Sequence, residues 1–144
     1  MDYLGEALAL ERQGDYAAAL TSYRLALRDN PNDHRVLQNM AIAYSRTGQL
    51  DLAVRCYRRA LEAEPTLSGA HYGLAYLLLK RDEREAAARH LEAFLAAPPQ
   101  SAEAERWVRH ARLTLSQLRG EEPMPGNDVE NPLEQSDATG GHDS

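Results

Sequence analysis

The chain has 144 residues, 26% charged and 43% hydrophobic, which suits one soluble globular domain and little more. Its formal charge of −6 divides unevenly: residues 1–119 carry 16 bases against 15 acids, and residues 120–144 carry seven acids with no Lys or Arg. A nearly neutral body lacks the basic footprint of a nucleic-acid binder, and no apolar run nears the roughly 18 residues of a membrane span.

The N-terminal stretch MDYLGEALALERQG is acidic and amphipathic, with neither a basic n-region nor a cleavage site, so the expected location is the cytoplasm. Tyr3, Ala7 and Leu10 are spaced as one helical face, and Gly14 ends that helix because glycine accepts the left-handed conformation at a helix C-terminus. From Gly14 to Pro31 the chain reads GDYAAALTSYRLALRDNP, a second helix stopped by a proline that lacks the N–H and clashes with the preceding turn. The same pattern returns 34 residues later as GQLDLAVRCYRRALEAEP, Gly48 to Pro65, after a first helix whose face is Leu37, Met40, Ala41 and Tyr44. A third unit has Leu74, Ala75 and Leu78, then Ala87, Leu91 and Pro99. Small residues recur in register at Ala7, Ala41 and Ala75 and at Ala19, Ala53 and Ala87, where antiparallel helices joined by short turns must approach closely. Cys56, the one cysteine, falls inside a helical pattern and is expected to be a buried inert thiol.

The third unit departs twice. Asp82 stands where Gly14 and Gly48 stand, so its turn must form without glycine, and Phe94 replaces Ala26 and Ala60, which should hold the next helix further off or at another angle. That next element, SAEAERWVRHARLTLSQLR over 101–119, has Ser101 as N-cap and an apolar stripe of Ala104, Val108, Ala111, Leu115 and Leu118, the pattern of a capping helix on an open stack. Residues 120–144, rich in Pro, Gly and acids, are expected to be a disordered acidic tail; the alternative is that the tail folds back and competes with a partner.

The 34-residue period with Leu37, Met40, Ala41, Tyr44, Ala53, Tyr57, Ala60 and Pro65 resembles the tetratricopeptide repeat, W-x2-L-G-x2-Y, then A-x3-F, then P. The first unit departs at Glu6, where the family has Leu. The resemblance implies an all-α fold, a right-handed superhelical array of antiparallel helical hairpins, with repeats at about 1–33, 34–67 and 68–100, a seventh capping helix at 101–119 and the tail beyond. It further implies that the first helix of each pair lines a concave face. Shifting by 34 residues, the positions left over from packing are Leu4, Gln38 and Tyr72; Leu8, Ile42 and Tyr76; Glu11, Ser45 and Leu79; and Arg12, Arg46 and Lys80. Asn39 reaches the same face.

Apolar and aromatic side chains along an open surface suit a protein or peptide partner, so the groove of Leu4, Leu8, Ile42, Tyr72, Tyr76 and Leu79 is the expected binding site, with Arg12, Arg46 and Lys80 as a basic edge. The same side chains could instead pack against the final helix or a second copy, making the chain a self-assembling structural protein. The heat-shock carboxylate clamp of some family members maps onto Leu4, Leu8, Asn39, Gly69 and Gly73; only Asn39 fits, so no carboxylate-dependent chaperone binding is expected. No phosphate loop, HExxH, CxxC or nucleophile elbow occurs, and His34, His71, His90, His110 and His142 have no ligand spacing. The expectation is a non-enzymatic adaptor or co-chaperone-like module without cofactor or metal, using neither nucleic acid nor membrane, with homo-oligomerisation left open.

Overall fold

A computed structural model of the chain describes residues 2–120; the expected acidic tail lies beyond Gly120, outside the described residues. The described residues form seven α-helices and one short 3-10 turn, with no strand: α1 (Tyr3–Arg12), α2 (Tyr16–Asp29), α3 (His34–Arg46), α4 (Leu50–Ala63), α5 (Ser68–Lys80), α6 (Arg84–Ala96), the turn Ala102–Ala104, and α7 (Glu105–Leu118). The fold is therefore all-α, as expected. The described residues divide into two compact units, the boundary falling between Ala70 and His71 in the first turn of α5.

Each pair of helices is joined by the same turn. In the first, the Gly14 N–H bonds to the Glu11 carbonyl at 2.9 Å and the Asp15 N–H to the Leu10 carbonyl at 2.9 Å. The second repeats this with Gly48 to Ser45 at 3.1 Å and Gln49 to Tyr44 at 2.8 Å, the third with Asp82 to Leu79 and Glu83 to Leu78, both at 2.9 Å. This paired pattern closes a helix only when the turning residue is left-handed. Gly14 and Gly48 both have φ of 81°, and Asp82 takes φ of 61° without a glycine. The third hairpin thus keeps the geometry while replacing the residue that adopts it most easily.

Helix starts are secured by carboxylates that accept from orphan amides: Asp2 from the Gly5 N–H at 2.9 Å, Asp15 from Ala18 at 3.1 Å and Asp33 from Arg35 at 3.0 Å. Ser101 also caps, accepting from the Ala104 N–H at 3.2 Å, but it starts the 3-10 turn, and α7 itself begins at Glu105. The double proline Pro98–Pro99 therefore leads into one tight turn before the last helix.

Every small residue at the repeated crossings is sealed: Ala7, Ala19, Ala41, Ala53, Ala75 and Ala87 are all at 0% exposure. Around them the first unit buries Leu20, Tyr23, Val36, Leu37, Val54 and Tyr57. Glu6, the departure from the family pattern, is accommodated on the surface, where its carboxylate accepts from the Ser22 hydroxyl at 3.1 Å. Cys56 is buried as expected, and burial pushes its thiol up from the ordinary value, which keeps it protonated.

Candidate functional site

The inner rows begin on α1 and α3 of the first unit. Leu4, Leu8 and Ile42 are half-buried, as are Gln38 and Asn39, while Arg12 is exposed. Glu11, in the third row, turns toward α2: the Tyr23 hydroxyl donates to its carboxylate at 2.6 Å. Burial raises the Glu11 carboxyl above its ordinary value, against the opposing pull of the Tyr23 bond and the Arg46 charge. Arg46 also lies 5.9 Å from the centre of the Tyr16 ring, a cation–π distance. Its guanidinium is thus engaged with groups of its own unit. Gln38 lies directly over Gly69, where a Cβ on that glycine would meet the side-chain amide. This face therefore carries half-buried aliphatic side chains and the Gln38 amide, while Glu11 and Arg46 are engaged with residues of α2.

The same rows on α5 look different. Tyr72 is 1% exposed and Tyr76 6% exposed, so the expectation that this aromatic pair stands open to a partner is corrected. The cover is α7. Trp107 stacks on the Tyr72 ring at 5.6 Å between centroids and 20° between planes. The Tyr76 hydroxyl donates to the Thr114 hydroxyl at 3.0 Å, and Thr114 in turn donates to the His110 carbonyl at 2.9 Å. His110 Nδ1 lies 3.3 Å from the Tyr72 hydroxyl, and the His110 ring is 4.8 Å from that of Tyr76. Phe94, 5.0 Å from Tyr72, completes a core with Leu91, Ala111 and Leu115, against which Leu79 also packs. Burial pushes both phenols well above their ordinary range.

The α7 stripe expected from sequence is correctly placed, with Ala104, Ala111 and Leu115 buried and Val108 and Leu118 partly so. Trp107, His110 and Thr114 were not among its expected members, although their spacing of three and four puts them along one face of the same helix. They supply the aromatic surface and the hydrogen bonds that Tyr72 and Tyr76 require once buried. Lys80 is exposed at the end of α5. Among the described residues no three His, Cys, Asp or Glu side chains gather as a metal-holding group, and no helix is long and apolar enough to cross a membrane.

Two family models, both described as tetratricopeptide repeat, match residues 10–66 and 39–102. Photosystem I assembly protein Ycf3 of Parasynechococcus marenigrum is 44% identical over 63 residues, a stretch covering 42% of this chain and 36% of that protein, well short of its full length. The Sgt2 TPR domain of Aspergillus fumigatus superposes with a TM-score of 0.69 at 26% identity, over 90% of this chain and 87% of that one. The Yersinia enterocolitica type III secretion chaperone SycD, solved with a peptide of the translocator YopD, gives a TM-score of 0.77 at 16% identity, over 85% and 93% of the two chains. At that identity the likeness to SycD speaks for the fold alone.

Proposed function

The chain belongs to the tetratricopeptide repeat family, and from that premise we propose that it is a non-enzymatic protein–protein interaction module that holds a peptide segment of a partner against the inner face of α1 and α3. The observation that carries the reading is the incomplete burial of Leu4, Leu8 and Ile42 on helices whose small residues are already committed to hairpin packing. A half-exposed aliphatic floor takes the apolar anchors of an amphipathic helix or an extended segment. Gln38 and Asn39 beside it offer amide donors and acceptors to a peptide backbone, and Arg12 offers a charge at the edge. Arg46 contributes by holding Glu11 and Tyr16 in place. Tyr72, Tyr76 and Leu79 take no part, because α7 and its cluster already occupy them.

A protein partner suits the charge better than nucleic acid does, since residues 1–119 carry 16 bases against 15 acids. A matching protein points the same way: Ycf3 is by name an assembly protein.

The test is selection of displayed random peptides on the full chain. Enriched peptides should lose binding to Leu8→Asp/Ile42→Asp while retaining it for Tyr72→Phe, with circular dichroism showing the first variant still helical at the temperature of the binding assay. Peptides bound equally by the parent and by Leu8→Asp/Ile42→Asp would place the site elsewhere, and a failure to enrich any peptide would remove the reading.

A further inference from the structure

His71 and His90 depart from the repeat together. His71 holds the register of Tyr3 and Leu37, and His90 that of Ser22 and Cys56, so only the third hairpin sets two imidazoles at this place. They are 19 residues apart, and no spacing motif announces them. The fold of the second unit brings their Nδ1 atoms to 3.0 Å, with the ring centres 5.2 Å apart and the planes at 33°. Both residues are half-buried, so water still reaches them. Ala86 and Ala93, one turn before and one turn after His90 on α6, add no charge and little bulk beside it.

At 3.0 Å one Nδ1 donates and the other accepts, so one ring carries a proton on that nitrogen. A neutral imidazole can carry its proton on Nε2 instead. When the bridging proton moves there by exchange with water, both Nδ1 lone pairs are open to a single cation. Binding then turns each ring about its Cβ–Cγ bond, since the two nitrogens now point at one another. At the usual ion–imidazole distance of about 2.0–2.1 Å, nitrogens 3.0 Å apart subtend about 91–97° at the ion. Adjacent corners of a square or octahedral shell lie about 90° apart, and those of a tetrahedron about 109°. The pair therefore fits the tetragonal shells of Cu²⁺ and Ni²⁺ better than the tetrahedral shell of Zn²⁺, with water at the remaining corners. Imidazole suits these ions, whereas Mg²⁺ and Ca²⁺ prefer oxygen.

We propose that His71 and His90 form a two-imidazole chelate for a divalent transition-metal ion, Cu²⁺ or Ni²⁺, which clips α5 to α6 within the second unit. The site stands apart from the peptide reading of the first unit, and each survives the failure of the other.

The test uses the full chain without an added histidine tag, isotope-labelled for nuclear magnetic resonance, and Ni²⁺ alone as the probe. Substoichiometric Ni²⁺ should broaden the ring signals of His71 and His90 most strongly and leave His34 sharp, while Mg²⁺ at the same concentration should change none of them. In calorimetric titrations, His71→Gln and His90→Gln should each weaken Ni²⁺ binding at least about tenfold, no less than the loss of a group that merely orients a ligand. His34→Gln should leave the affinity unchanged. The broadening experiment needs no variant, so it holds even where a glutamine variant folds poorly. Broadening centred on other histidines, an affinity that both glutamine variants retain, or no binding at millimolar Ni²⁺ would overturn the proposal.

Discussion

Leu4 and Leu8 on α1 hold the same register as Tyr72 and Tyr76 on α5, yet the leucines are half-buried and the tyrosines sealed. A repeat sets where a residue sits on its own helix; it does not set what lies over that residue. In the second unit the cover is α7, which follows none of the repeat's small-residue pattern and instead brings Trp107, His110 and Thr114 to the aromatic pair. One register position can thus serve as a contact surface in one unit and as core in another.

The largest expected effect separates these roles directly. Tyr72→Ala removes a ring packed on Tyr76, Phe94 and Trp107 and should destabilise the chain by about 3–5 kcal/mol in urea unfolding. Leu8→Ala, at the equivalent of Tyr76, should cost about 1 kcal/mol, since only part of its side chain leaves a buried environment. Equal losses would mean that both units use the row as core, and the comparison would break.

The hairpin crossings should not distinguish the units at all. Ala41 and Ala75 are both at 0% exposure at equivalent positions. Ala41→Leu and Ala75→Leu should each overpack a crossing and cost about 1–3 kcal/mol, by similar amounts. A marked difference would show that one hairpin is held more loosely than its neighbour.

This contrast marks how far the sequence could be read. The helices, their turns and the small crossings were legible because each rests on local chemistry: a proline that stops a helix, a residue able to turn left-handed, a helical apolar period. The α7 stripe was legible for the same reason. Tyr72 and Tyr76 were not, because their burial depends on a helix 38 residues away, and tyrosine suits a wet groove and a hydrogen-bonded core equally well. Glu11 was also hidden. On its helix it reads as an inner-face acid, and only the folded hairpin brings the Tyr23 hydroxyl within 2.6 Å.

A smaller effect comes from the turns. Asp82→Gly should stabilise by about 1 kcal/mol, relieving a left-handed residue that has a Cβ. Gly48→Asp should cost about as much in the first unit, where φ is 81° and no neighbouring atom crowds the site. Thermal melts of the two variants moving in opposite directions would confirm that the same turn is made by different residues in the two units.

The smallest effect concerns the row in which the units differ most, Glu11 against Leu79. Burial raises the Glu11 carboxyl above its ordinary value, so the folded chain holds that proton more tightly than the unfolded chain does. At neutral pH the ionised group therefore opposes folding, and the penalty is removed as pH falls through the folded value toward the ordinary carboxylate range. Glu11→Gln keeps an acceptor for the Tyr23 hydroxyl and removes the charge. It should melt slightly higher than the parent at pH 7, with the gap closing as the solution is acidified. Asp33 supplies the opposite sign within the same unit. Arg35 and the helix amides lower its carboxyl, so Asp33→Asn should melt lower at pH 7, and that deficit should shrink in acid as the parent loses the contribution of its own carboxylate. A parent more stable than Glu11→Gln at pH 7 would mean that the Tyr23 bond to the charged carboxylate and the attraction to Arg46 together outweigh burial, making ionised Glu11 a support of the first unit where the second relies on the apolar contact of Leu79.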